Sequence, residues 1–246
     1  MIFLGDKIHG SGRSELLSRQ VSDIQLDDSV LHSLQTQLSD NLEKKGFEYF
    51  FPVLYWGDEW LCEDGKASIS VPFYLGNKYI AKILYGNKVE VEGCRSNSLA
   101  MRYIRHEAGH AFFHAFGLKN SAKANKIFGD FSAPYNPDNF RQYRNAEKYH
   151  EFINNIFVRG YGQVHPEEDF AETFAEWLNP RINWREKYIG NSKILRKLRY
   201  METTAPQFYS TKLNKRLYSY SPISRSQYIL RDILPLLPQA RSRAER

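Results

Sequence analysis

Apolar residues recur at helical spacing between 26 and 45, where Leu26, Val30, Leu31, Leu34, Leu38 and Leu42 line one face of an amphipathic helix ending at Lys44-Lys45-Gly46. The pattern then changes. Phe47 to Trp60 and Ala67 to Leu75 are rich in aromatic and branched residues, separated by Glu63-Asp64-Gly65-Lys66, and predict a strand pair. Tyr79 to Leu84 and Lys88 to Val91, divided by Gly86-Asn87, predict further short strands. The apolar stretch Tyr103 to Leu118 predicts a helix, with Asn97 or Ser98 to cap it and Gly117 to follow it. A second helix is expected over His165 to Leu178. Pro166 suits its first turn, Glu167 to Asp169 complement the positive end of its dipole, and Pro180 stops it. These elements describe an α+β chain with a small mixed or antiparallel sheet.

The first of these two helices carries His106-Glu107-Ala108-Gly109-His110, an H-E-x-x-H pentapeptide. Residues four apart on a helix share a face, so both imidazoles can reach one ion while Glu107 is aimed at the water beside it. Ala108 and Gly109 add no competing charge. A catalytic zinc needs a third protein ligand and an open fourth position. A metzincin would place glycine at 113 and histidine at 116, but both are phenylalanine. His114 falls four residues beyond His110, yet three histidines along one helix do not converge easily on one tetrahedral ion, so it reads as a neighbouring group.

The second helix offers the better third ligand. At about 100° per residue, Glu168 lies nearer the edge of the apolar face (Phe170, Ala171, Phe174, Ala175, Leu178) than Glu172 or Glu176. Glu168 is therefore the expected metal ligand, and Glu172 the expected hydrogen-bond partner of a ligand histidine. The reverse assignment of these two stays open. Glu176 reads as a solvated surface carboxylate.

Glu168-Asp169-Phe170-Ala171-Glu172 resembles the E-x-F-A-E segment of lethal-factor-like and Pro-Pro endopeptidase metalloproteases, in which the first glutamate binds zinc. In those families a tyrosine seven residues earlier donates to the oxyanion, which points to Tyr161 here. A closer likeness, over about residues 15 to 203, is to a bacterial zinc-binding metallopeptidase family known mainly from sequence. It rests on Tyr55 to Trp60, Ile69 to Leu75, Val89 to Gly93, Arg105 to Phe112, Phe128 to Ser132 and Val164 to Trp184. The resemblance implies a zincin-like domain with one Zn2+ held by His106, His110 and Glu168. It also implies peptide hydrolysis with Glu107 as general base. Zincins bind substrate along an edge strand beside the metal helix, and Ala67 to Val71 is the candidate for that strand.

Residues 111 to 167 separate His110 from Glu168, which is 57 residues and more than a helix hairpin needs. Residues 128 to 143 read as a loop and Ala146 to Phe157 as a short helix; a flap over the cleft and a packed surface excursion fit equally. His150 and His165 lie here, each read first as a surface or capping histidine.

Composition extends the picture. A 246-residue chain with 42% apolar content can bury one sizeable core. It has no run of 18 apolar residues, and Met1 to Lys7 lacks the form of a signal peptide, so no membrane span and a cytoplasmic location are expected. Cys62 and Cys94 lack Cys-x-x-Cys spacing and read as free buried thiols. From Arg181 onward 15 Lys or Arg face 4 Asp or Glu, giving +11; the whole chain carries +6, so the rest carries −5. The expected division is a metallopeptidase domain over 1–203 and a basic extension over 204–246, helical in part. The extension, with Tyr218, Tyr220 and Tyr228 among its bases, motivates an alternative: a non-catalytic zinc-site protein that binds nucleic acid or another polyanion. Packing of Ile229, Leu230, Ile233, Leu234, Leu236 and Leu237 onto the body is the plainer reading.

Overall fold

In the computed structural model, residues 18–19, 23–87, 91–138 and 153–222 are described. Asp27 starts helix α1 (Asp28–Lys45) by accepting a hydrogen bond from the Ser29 N–H at 3.0 Å, and Gly46 ends it at φ 104°. Leu34, Leu38 and Leu42 are buried, as their spacing requires. After Pro52 the chain extends into β1 (Val53–Gly57), crosses to β2 (Leu61–Cys62), and turns at Glu63 to Lys66 into β3 (Ser68–Pro72). The sheet order is β1-β3-β2, with β1 parallel to β3 (Val53↔Ser68 to Gly57↔Pro72) and β2 antiparallel (Cys62↔Ile69). The two expected strands do pair, but β3 is central rather than an edge. The turn folds Leu61–Cys62 back onto its second side, so among the described residues β2 lies at one edge of the sheet and β1 at the other.

Tyr79 to Leu84 is not a strand. It lies in helix α2 (Lys78–Gly86), which Asn77 caps by accepting from the Tyr79 and Ile80 N–H groups at 3.0 and 3.2 Å. Ile80, Ile83 and Leu84 are spaced for a helix face and are buried together, so packing overrides the β preference of branched residues. Residues 88–90 lie outside the described residues, and Val91 is not in a strand.

Helix α3 (Asn97–Ala115) begins at Ser96, whose hydroxyl accepts from the Leu99 N–H at 3.1 Å; the cap thus falls just before the expected Asn97 or Ser98. Helix α4 (Ala122–Phe128) and an irregular stretch over 129–137 follow; residues 139–152, including His150, are outside the description. Helix α5 (Pro166–Leu178) is capped by His165, whose Nδ1 accepts from the Glu167 N–H at 3.2 Å while Nε2 donates to the Ala133 carbonyl at 3.0 Å. Two helices complete the set, α6 (Trp184–Lys187) and α7 (Ser192–Thr204). Seven helices with a three-stranded mixed sheet make the described residues an α+β structure compatible with a zincin-like domain.

The core is built around α3 and α5. A Cβ at Gly109 would stand 2.8 Å from Ala171 Cα, so the helices meet backbone to backbone there. Phe112 stacks on Phe174 with centroids 5.1 Å apart, and Phe113 meets Phe170 edge-on at 5.3 Å. Arg105, buried on α3, donates to Asn41 Oδ1 of α1 at 2.8 Å. Residues beyond α7 return to this body: Phe208 stacks on Phe116, Tyr220 on Tyr55, and the Leu217 carbonyl accepts from the Ala67 N–H. Residues 223–246, with Tyr228 and the apolar run from Ile229 to Leu237, are outside the description. No helix among the described residues is long and apolar enough to cross a membrane.

Candidate metal centre

The close approach at Gly109 brings the first turn of α5 beside the middle of α3, and the three expected metal ligands converge there. His106 Nε2 and His110 Nε2 are 3.2 Å apart, and Glu168 Oε2 lies 3.1 Å from the former and 3.3 Å from the latter. These donor atoms form a nearly equilateral triangle. Ligands held at about 2.0–2.1 Å around a tetrahedral zinc are separated by about 3.3 Å, so the donor set and its spacing fit that ion.

The electrostatics favour a cation as well. Burial works against a charged His110, yet the Glu167 and Glu168 carboxylates outweigh it and hold the imidazole's pKa well above the ordinary histidine value. His106 is raised too, with burial opposed by Glu168 and Glu172. Burial would lift Glu168, but hydrogen bonds with His106 and His110 hold it well below the usual carboxylate range. The cluster therefore stabilises added positive charge, whether proton or metal.

Around the triangle stand the groups that aim it. Glu172 Oε1 faces His106 Nδ1 at 3.5 Å, an ionic separation longer than a hydrogen bond, and Arg159 Nε lies 3.3 Å from Glu172 Oε2. Glu167, expected only to serve the helix dipole, has Oε1 3.0 Å from His110 Nδ1. Burial raises its carboxyl, but His110 and His114 bring it down to about 2. Glu107 is buried, and its Oε2 accepts a 2.9 Å hydrogen bond from the Cys62 N–H of edge strand β2.

Tyr161 faces the same cleft, its ring 6.1 Å from that of His106, and its hydroxyl is hydrogen-bonded to Tyr135. Burial and the Glu168 charge push the Tyr161 pKa far up, which keeps the phenol protonated as a donor. The cleft has a volume of about 1040 Å³ and is lined by the triad, Glu107, both tyrosines and the β2 residues. His114 does not join the triangle; its Nε2 lies 3.1 Å from Glu167 Oε1. Cys62 and Cys94 are both free and buried.

Residues 99–207 match a family described as putative zinc-binding metallo-peptidase. The segment holds α3, α5 and every residue of the donor triangle, whereas the sheet lies outside it. Curated relatives from Mycobacterium bovis and two Mycobacterium tuberculosis strains, each described as an uncharacterized protein, are 37% identical over 82 residues. That alignment covers 32% of this chain and 24% of each relative, so the chain matches about a quarter of their length. No solved structure matches. The donors that fit a zinc ion here are two histidines and a glutamate.

Glu176 departs from the sequence reading. It is 3% exposed, hydrogen-bonded by Lys187 Nζ and by the Tyr188 hydroxyl at 2.9 Å. Its partners follow the Pro180 break, where helix periodicity carries no information. Glu167, Tyr135, Arg159 and the Cys62 N–H were likewise missed. Only Glu167 had a local signal, since it adjoins Glu168 and a ligand histidine needs a partner for its second nitrogen.

Proposed function

We propose that the protein is a zinc-dependent peptidase in which His106, His110 and Glu168 hold one Zn2+. The observation that carries this reading is the donor triangle with Glu107 beside it, oriented by the edge strand. Bound zinc supplies Lewis acidity, lowering the pKa of a water toward about 7. Glu107 takes the proton of the attacking water and delivers it to the leaving amine. Tyr161 donates to the developing oxyanion, a contribution of about 2.7–4 kcal/mol for one good donor. Tyr135 holds the Tyr161 hydroxyl, and Glu172 and Glu167 hold the two ligand imidazoles. The edge of β2 beside Glu107 is the place for an extended peptide to pair.

The test is zinc content per chain by elemental analysis together with cleavage of a peptide library. Wild type and Glu107→Gln should each carry one tightly held equivalent, Glu168→Ala none, and only wild type should hydrolyse peptides. Full cleavage by Glu107→Gln would sink the mechanism. Zinc lost from Glu172→Ala but kept by Glu168→Ala would exchange the roles of those two glutamates.

A further inference from the structure

One turn beyond His110, His114 occupies the same face of α3, with its ring 6.5 Å from that of His110 and inclined by 21°. Its Nε2 is buried and makes no hydrogen bond among the described residues, although two carboxylate oxygens stand close. Glu167 Oε1 is 3.1 Å away, and Asp64 Oδ1, from the β2–β3 turn, is 3.3 Å away. These separations repeat those between the donors of the first triangle, without the geometry of hydrogen bonds. Donor atoms of His110, His114 and Glu167 lie within 4.8 Å of one another, and Asp64 approaches this group from the side of His114.

We propose that His114 and Glu167 form the core of a second, exchangeable site for a divalent cation of the zinc class, adjoining the first through His110 and completed by Asp64 from the exposed β2–β3 turn. Imidazole nitrogen with two carboxylates is a donor set that zinc and its neighbours accept. Consecutive acids on α5 thereby divide between two sites, Glu168 to the first and Glu167 to the second. The Asp64 side chain is 98% exposed, so the second site opens to solvent and binds more weakly than the first. Its cation competes with the His110 Nδ1–H for the same Glu167 oxygen. Occupancy loosens the orientation of a first-site ligand and draws the exposed turn toward the cleft. Excess zinc is thus expected to lower activity.

The site is independent of whether the protein hydrolyses anything, and calorimetric titration of Zn2+ into chelator-stripped full chain reads it directly. Wild type should bind in two classes. His114→Ala and Asp64→Asn should keep the tight class and lose or weaken the other, while Glu168→Ala should lose the tight class and keep the weaker. Asp64 is on the surface, so Asp64→Asn remains informative where His114→Ala misfolds. Wild type saturating at one equivalent, or a weaker class unchanged in both variants, overturns the proposal. A weaker, His114-dependent class with no tight class would support it while removing the proposed catalytic site.

Discussion

The acids of α5 fall into two groups that differ in what they meet. Asp169 and Glu176 turn into the protein and find lysines: Lys197 Nζ lies 2.6 Å from Asp169 Oδ2, and Lys187 pairs with Glu176. Lys197 also donates to the Ile156 carbonyl at 2.7 Å, fastening the chain just before Arg159 and Tyr161. Glu167, Glu168 and Glu172 turn toward α3 and meet histidines instead. A lysine brings a permanent charge, so each acid of the first group has its countercharge within the chain. Histidine brings a lone pair or a proton, so the second group is completed by whatever cation arrives. The same helix thus carries a finished structural network and an unfinished one, and the unfinished one is where chemistry is possible.

The sharpest way to break this comparison is to remove one acid of each kind. Asp169→Ala leaves Lys197 buried without its partner and should cost about 3–5 kcal/mol in denaturant unfolding, while folded chains keep their zinc. Glu168→Ala should do the reverse, losing zinc on dialysis with a much smaller change in metal-free stability. Complete zinc loss from Asp169→Ala would mean that the two groups are one network. A smaller effect is expected one turn along. Glu172→Gln should weaken zinc binding about 10–100-fold, because the His106 ring loses its charged partner. Glu176→Gln should leave zinc affinity unchanged and lower stability by about 1–3 kcal/mol.

The smallest effect is in pH. Burial, incompletely offset by Lys197, pushes the Asp169 carboxyl up to about 7. A raised pKa in the folded state means that its stability contribution is present at low pH and lost as pH rises through about 7. His106 and His110 are also raised, and their contribution to the metal-free chain is lost in the same direction. Unfolding midpoints of metal-free protein should therefore fall as pH rises. Asp169→Asn should remove the part lost between the ordinary aspartate range and about 7, and zinc the histidine part. An unchanged slope in Asp169→Asn would show that this carboxyl ionises freely in the fold.

These differences also explain what could be read in advance. Helices α3 and α5 were legible because their apolar periodicity, caps and breakers are local, and His106, His110 and Glu168 came with them as positions on predictable faces. Tyr79 to Leu84 misled because branched residues at 80 and 83 invite a strand, while the Asn77 cap lay just upstream. The edge position of β2 was hidden, since only two residues pair and strand order is decided by a turn rather than by periodicity. Glu176 looked solvated because Lys187 and Tyr188 reach it across a helix break. Tyr135 carries no local mark at all, and meets Tyr161 only through the path of the chain after α4.

Gly109 is the point where two backbones touch. Because α3 and α5 meet main chain to main chain there, the width of the donor triangle is gauged by a missing methyl group rather than by flexible side chains. Adding that methyl, as in Gly109→Ala, would push Ala171 outward, carry Glu168 away from both imidazoles and widen the opening. A wider opening suits a larger ion, so preference should drift from zinc toward manganese or cadmium. On the proposed reading, the second variable position of the pentapeptide would act as a size filter for a metal it never touches.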